Sequence, residues 1–319
     1  MARVLYEAWM GQTRRHAQDP SESSISQFED AKLLVLGKEW TVESHLKMME
    51  DNSIDKCILS VTAPGTHLIA GDRALAKEVT MKTNDELSEI AAAHPDKFKF
   101  FASLPLPEVE ESLEEIDRAL DKLGAVGFCV MSNANGVYMG DAKLDPVFKK
   151  LNERKAIVFI HPCACKLLMP NAQKGGEPSC VTVAPLPQLP RPIMEYFFDE
   201  SRAVVNLLTS GTMSRNEDLR LIMSHGGGVL PPTLERVTSF SAALFGKANT
   251  GQELREIIKS RIYFDLAGKI AVMMAQLNGH RLTSNNRLAI PRADPRSSPH
   301  FQAGAATIRH RLPVHAWRR

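Results

Sequence analysis

The sequence predicts an α/β fold, a (β/α)8 TIM-type barrel whose first and last strands are not legible. Three observations carry this. Short apolar runs recur through the middle of the 319-residue chain, amphipathic stretches alternate with them, and two of the runs end in a histidine. Strand and helix in strict alternation point to parallel strands joined by helical crossovers. A doubly wound open sheet is the alternative arrangement of the same elements.

Six runs read as strands: Asp55–Val61, Phe98–Leu106, Ala125–Met131, Ala156–His161, Leu219–His225 and Ile262–Leu266. Each is continuous rather than alternating, as expected of parallel strands buried on both faces. Six strands suit an eight-stranded barrel lacking one at each end. Between them, Trp40–Asn52 reads as a helix with Thr41 as N-cap and Ser44 as next choice. Asn84–Ala93 reads as a helix stopped by Pro95. Val109–Leu123 places Leu113, Ile116, Leu120 and Leu123 on one stripe, and the acids of Glu108–Glu115 read as a solvated face. Leu144–Arg154 and Asn216–Leu221 repeat the helical theme.

The two ends differ from this middle. Residues 1–38 form an atypical segment with a soft polar patch, residues 39–279 the barrel domain, and residues 280–319 an arginine-rich tail without apolar periodicity. The net charge of +2 is unevenly placed. The tail has eight arginines, no lysine and one acid, Asp294, for +7, which leaves −5 on the rest. That is a change of composition at one point, not a basic face for nucleic acid. The chain is 44% hydrophobic and 24% charged, which is ordinary globular composition. No apolar run approaches the roughly 18–20 residues of a membrane span. The opening M-A-R-V-L-Y-E-A-W-M does not read as a signal peptide. Five cysteines, Cys57 and Cys129 inside apolar runs, fit reduced thiols in a cytosolic setting. Cys163 and Cys165 are C-x-C with no second pair, so a cysteine zinc site has little support.

In a parallel α/β barrel, chemistry sits at the carboxyl ends of the strands. His161, His225 and Asp265 fall there. A histidine in that position can ligate a metal through a neutral nitrogen or move protons near neutral pH. Gly226, Gly227 and Gly228 would permit a tight turn and close approach of backbone to a ligand. Asp265 could equally bond a loop. His67, in A-P-G-T-H-L, lies on the same loop face as a weaker candidate, whereas His45 and His94 read as solvent-facing.

An ordered series of short motifs carries a resemblance. It runs S-V-T-A-P-G-T-H (60–67), T-N-D-E-L (83–87), F-F-A-S-L-P-L-P (100–107), L-D-K-L-G-A-V-G (120–127), G-V-Y-M-G-D (136–141), F-I-H-P (159–162), M-S-H-G-G-G (223–228) and Y-F-D-L-A-G (263–268). The chain resembles the metal-dependent decarboxylases of the amidohydrolase-related superfamily, the 2-amino-3-carboxymuconate semialdehyde decarboxylase family. It looks closest to the fungal 6-methylsalicylate branch. The resemblance implies a (β/α)8 barrel with one divalent cation, zinc or alternatively manganese. It implies His161 as the H-P metal ligand and His225 as the catalytic histidine. It further implies a 2-hydroxybenzoate such as 6-methylsalicylate as substrate, a phenol such as m-cresol as product in polyketide metabolism, and a homodimer. Asp265 belongs to a family motif without being its usual ligand. The family's H-x-H and late G-S-D-x-P, which supply further metal ligands, are both missing from this sequence; Asp294, followed by Pro295, stands nearest the place of the second and is the candidate metal ligand there. Two alternatives follow from those departures: a barrel that binds without catalysing, or an amidohydrolase-type hydrolase.

Overall fold

The computed structural model describes residues 40–170, 179–245, 250–265 and 267. The segment 1–38, the tail 280–319 and Asp294 within it lie outside the described residues.

The described chain opens with helix α1, Val42–Asp51, capped by Thr41 as expected. The Thr41 side chain accepts from Ser44 N while the Ser44 hydroxyl accepts from Thr41 N, a capping box. There follow β1 (Cys57–Leu59), α2 (Arg73–Ala93), β2 (Phe98–Phe100), β3 (Ala102–Ser103), α3 (Val109–Asp121) and β4 (Phe128–Met131). A small hairpin, β5 (Asn133–Ala134) and β6 (Val137–Tyr138), precedes α4 (Asp145–Glu153) and β7 (Ile157–His161). A second hairpin, β8 (Lys166–Met169) and β9 (Ser179–Thr182), leads to α5 (Glu195–Thr209) and α6 (Thr212–Arg215). The chain continues through β10 (Arg220–Met223), α7 (Leu230–Phe245), α8 (Gly251–Arg261) and β11 (Ile262–Phe264).

All six expected strands are present, and every pairing among them is parallel. β1 pairs with β2, and β3, β4, β7, β10 and β11 follow side by side in chain order. Phe101 joins the two sets: its N–H donates to Leu59 O, and Ala102 N on the next peptide donates to Gly127 O. A doubly wound sheet reverses strand order at a switch point. These seven strands, of which β2 and β3 together make up the expected run Phe98–Leu106, do not reverse, so the arc is singly wound, as in a barrel. The barrel does not close within the described residues.

The strands alternate in burial more than their sequence suggests. Val158, Ile160, Leu221 and Met223 are fully buried and share one core with Ile116, Phe148, Leu151, Val204, Leu207 and Leu254. Alternate residues point the other way, and of these Ile157 and Phe159 are half-buried while Tyr263 is exposed. The helices pack one face of the arc, so only that face is fully enclosed among the described residues. No helix there is long and apolar enough to cross a membrane.

Several sequence expectations change. α2 begins eleven residues before Asn84, capped by Asp72, whose side chain accepts from Leu75 N. Its buried face is Ala76, Val79, Thr80, Thr83, Asn84 and Leu87, which has helical spacing but too many polar residues to show an apolar stripe. Asn216–Leu221 is not a helix: it is the turn into β10, and the crossover helices are α5 and α6. His45 and His94 are not solvent-facing. Both rings are half-buried against the edge of Phe98, at 5.4 and 5.9 Å between centroids.

The acids of α3 are likewise not all solvated. Glu115 is 4% exposed and Glu111 9%. Glu111 pairs with Arg73. Glu115 accepts from Asn84 Nδ2 at 2.6 Å and from Arg118 Nε and Nη2 at 2.8 Å each. Arg118 also reaches Asp85 and Met81 O across the α2–α3 seam. Removing one partner of a buried ion pair strands the other charge. Arg118→Ala should therefore lower stability by on the order of 3 kcal/mol, read as a fall in the urea midpoint. A shift within about 0.5 kcal/mol would show the network to be a surface pair in effect.

Candidate active site

The parallel register of β7 and β10 sets the site. Ile160 lies opposite Met223, so the residues that follow, His161 and Ser224–His225, leave the sheet at one end. The Ser224 hydroxyl donates to Ile160 O at 3.0 Å and ties the two strand ends together.

His161 is held in one tautomer. Its Nδ1 lies 2.7 Å from Pro162 O, and a carbonyl can only accept, so Nδ1 carries the proton. Nε2 is left with its lone pair, 3.1 Å from Thr62 Oγ1, whose hydroxyl donates to it. Burial pushes the ring down to about 4, against a smaller upward effect of the Pro162 carbonyl, and the His225 charge lowers it further. His161 is thus a neutral imidazole at ordinary pH. A backbone carbonyl on Nδ1 with Nε2 unprotonated is the tautomer that metal-ligating histidines adopt, and here Thr62 Oγ1 occupies the Nε2 lone pair.

His225 sits in left-handed backbone at φ 50°, an unusual conformation for a residue with a Cβ. Asp265, just past β11, stabilises it: Oδ1 accepts from His225 N at 2.6 Å and from Ala267 N at 3.0 Å, while Asp265 O accepts from Gly226 N. The His225 ring lies over Phe197 at 5.2 Å between centroids. The glycines that follow serve packing rather than a ligand. A Cβ on Gly227 would come within 2.7 Å of the Phe264 ring, and one on Gly228 within 2.6 Å of Phe197 O.

Two buried acids on α5 underlie this end of the sheet, and sequence reading did not single out either. Asp199 accepts from Ser132, from Asn133 Nδ2 at 2.9 Å and from Tyr138, with Arg202 at 3.7 Å. Its charge, added to burial, raises Tyr138 and pushes Cys163 up to about 12. Glu200 receives only Ser224 N, on Oε1, and its buried Oε2 has no partner among the described residues. Burial pushes it up to about 9, with Asp265 and Asp199 adding to the rise. The signal for both was helical spacing with Tyr196, Ala203 and Leu207, obscured by their charge.

The sequence-predicted residues divide clearly. His161, His225 and Asp265 come together at one end of the sheet. His67 lies at the same end but in a neighbouring cleft. Asp294 lies outside the described residues. A tightly held zinc requires three or four protein donors, and His161 has the chemistry of one. Asp265 turns Oδ1 onto backbone amides, and Cys163 and Cys165 keep their protons because burial raises both. Among the described residues no three histidine, cysteine or carboxylate side chains are placed to share an ion. Those residues do not fit a tightly bound metal on their own.

The arc of parallel strands has the winding of a barrel, and the amidohydrolase family profile matches residues 30–259. The chain belongs to that family. It is 39% identical over 196 residues to the decarboxylase macB of Penicillium terrestre, covering 60% of this chain and 55% of that protein. It is 32% identical over 234 residues to the 6-methylsalicylic acid decarboxylase acuB of Aspergillus aculeatus, covering 72% and 66%. Among solved structures, an amidohydrolase II superposes with a TM-score of 0.62 at 26% identity over 79% of both chains. The resemblance to decarboxylases of this superfamily is therefore borne out. The chain spans between about half and two thirds of the length of those two fungal relatives.

Glu200 supplies a test of this geometry. Its folded pKa lies above its unfolded value, so the folded state holds the extra proton. Its contribution is complete below about pH 4.5 and is lost as pH rises toward 9. Glu200→Gln mimics the protonated acid without titrating. It should raise stability at pH 8 by on the order of 3 kcal/mol and flatten the dependence between pH 5 and 9. Denaturant midpoints measured at pH 5 and pH 8 check this, and equal pH slopes for both proteins would reject a neutral Glu200.

Proposed function

We propose that this chain removes carbon dioxide from a 2-hydroxybenzoate, with 6-methylsalicylate giving m-cresol as the model reaction in fungal polyketide metabolism. One observation carries the reading: relatives named as decarboxylases match 60% and 72% of a chain whose strand ends bring His161 and His225 together. In the reaction the bond between ring carbon and carboxylate breaks. Its electron pair stays on the ring carbon, which takes a proton, and carbon dioxide leaves.

The proton comes from a group within hydrogen-bond reach of that carbon. His225 is assigned this role, since an imidazole can serve as a general acid and base. The strained backbone at His225, fixed by Asp265, holds the ring where it can act. His161, neutral and directed by Pro162 O, presents a lone pair beside it. The resemblance assigns His161 and Asp294 to zinc or manganese, and the incomplete donor set favours a second reading, a barrel that binds aromatic acids without turning them over.

Product analysis separates the two. The full chain should convert 6-methylsalicylate to m-cresol with equimolar carbon dioxide, and His225→Ala should cut kcat by ~10²–10⁴-fold. No phenol from a panel of 2-hydroxybenzoates, with zinc or manganese added, would favour the binding reading. Elemental analysis after dialysis against metal-free buffer should find far less than one ion per chain. About one per chain would mean that residues beyond the described ones, Asp294 among them, complete the site.

A further inference from the structure

Beside the two histidines, and lined by neither, is a second cleft at the same end of the sheet. Its walls continue the chain on both sides of the His161 contact. Thr62 is followed by Ala63–His67, and Pro162 by Cys163 and Ala164. Leu104, Leu106, Met131 and Tyr196 supply apolar surface. Besides Thr66, Ser103 and Asn133, the polar side chains His67, Asn135 and Lys166 stand among them.

Each is placed by a specific device. Asn135 and Gly136 form the turn of the β5–β6 hairpin, both with positive φ, 51° and 88°, as an Asn-Gly hairpin turn requires. Asn135 Oδ1 accepts from Lys166 Nζ at 2.8 Å. That contact leaves the amide Nδ2, a donor, buried and without a partner among the described residues. Lys166 opens β8, is 8% exposed, and faces no carboxylate among the described residues within ion-pair distance. His67, 9% exposed, donates from Nδ1 to Leu106 O at 2.8 Å. Its Nε2 is therefore a bare acceptor, also buried and unpartnered. Burial lowers the His67 pKa, against smaller upward effects of the Leu106 and Ile69 carbonyls and the Glu108 charge, and the Lys166 charge adds a small downward effect.

Buried polar atoms are nearly always hydrogen-bonded, and each exception costs about 1–3 kcal/mol. Here a cation, an orphan donor and an orphan acceptor line one apolar cleft. We propose that this cleft is a recognition site for a hydroxylated aromatic carboxylate. Lys166 and the Asn135 amide take the carboxylate, His67 Nε2 accepts from the ring hydroxyl, and Leu104, Leu106 and Met131 enclose the ring. The choice of aromatic acid rests on the decarboxylase reading; the donor and acceptor pattern does not.

Calorimetric titration tests it on the full chain, with 6-methylsalicylate, 2-methylbenzoate and m-cresol as probes. 6-Methylsalicylate should bind the tightest, and loss of either carboxylate or hydroxyl should weaken binding ~10-fold or more. Lys166→Met keeps the apolar stem and should weaken both acids ~10–100-fold, with Lys166→Arg recovering most of the loss. His67→Phe should weaken only the hydroxylated acid, bringing it level with 2-methylbenzoate. Unchanged affinity in Lys166→Met would overturn the proposal, as would equal loss for both acids in His67→Phe. Far-ultraviolet circular dichroism and urea midpoints establish that each variant is folded, and Lys166→Arg keeps the test decisive if Lys166→Met is not. Binding without turnover would sink the decarboxylase reading and leave this site standing. Turnover with a KM unmoved by Lys166→Met would do the reverse.

Discussion

The parallel pairing of β7 with β10 is the constraint on which the rest of this molecule depends. Hydrogen-bond register along four residue pairs leaves little freedom in where the two strands end. His161 and His225 are sixty-four residues apart in sequence, and this pairing alone brings them to one end of the sheet. A slip of one residue would turn each strand's buried row, Val158 and Ile160 or Leu221 and Met223, out of the core. Core packing thus protects the register, and the register places the histidines.

Beyond the strands, precision comes from side chains bonding backbone. Pro162 O selects the His161 tautomer, Asp265 holds the left-handed turn at His225, and Ser224 ties that turn to Ile160. The adjacent acids Asp199 and Glu200 show two ways of burying a carboxyl group. Asp199 gathers donors from Ser132, Asn133, Tyr138 and the Cys163 thiol, with an arginine nearby. Glu200 has one donor and keeps its proton. The first braces the β5–β6 hairpin that carries Asn135. The second lies beneath the His225 turn, so both acids support the site from behind.

Much of the frame was legible in the sequence. Every strand of the arc was visible as an apolar run, because each contributes at least one buried apolar residue to the core. α1 was legible to its cap, since Thr41 and Ser44 bond only within four residues of chain. α2 and α5 were harder to read, because their buried faces carry Thr80, Thr83, Asn84, Asp199 and Glu200. Those residues are buried by partners far along the chain, and no local pattern records that. The same holds for Glu111 and Glu115, whose acids read as solvated until Arg73, Asn84 and Arg118 close over them.

The sequence by itself determined the class of fold, the chain order of its strands and the two histidines at their ends. Those features depend on apolar periodicity and on residues adjacent in the chain. Only the tertiary structure decided which nitrogen of His161 carries the proton, what Asp265 holds, and that His67, Asn135 and Lys166 share one cleft. The physical reason is range. Tautomer, burial and ion pairing are set by atoms within a few ångströms in space, and those atoms come from strands and loops tens of residues apart.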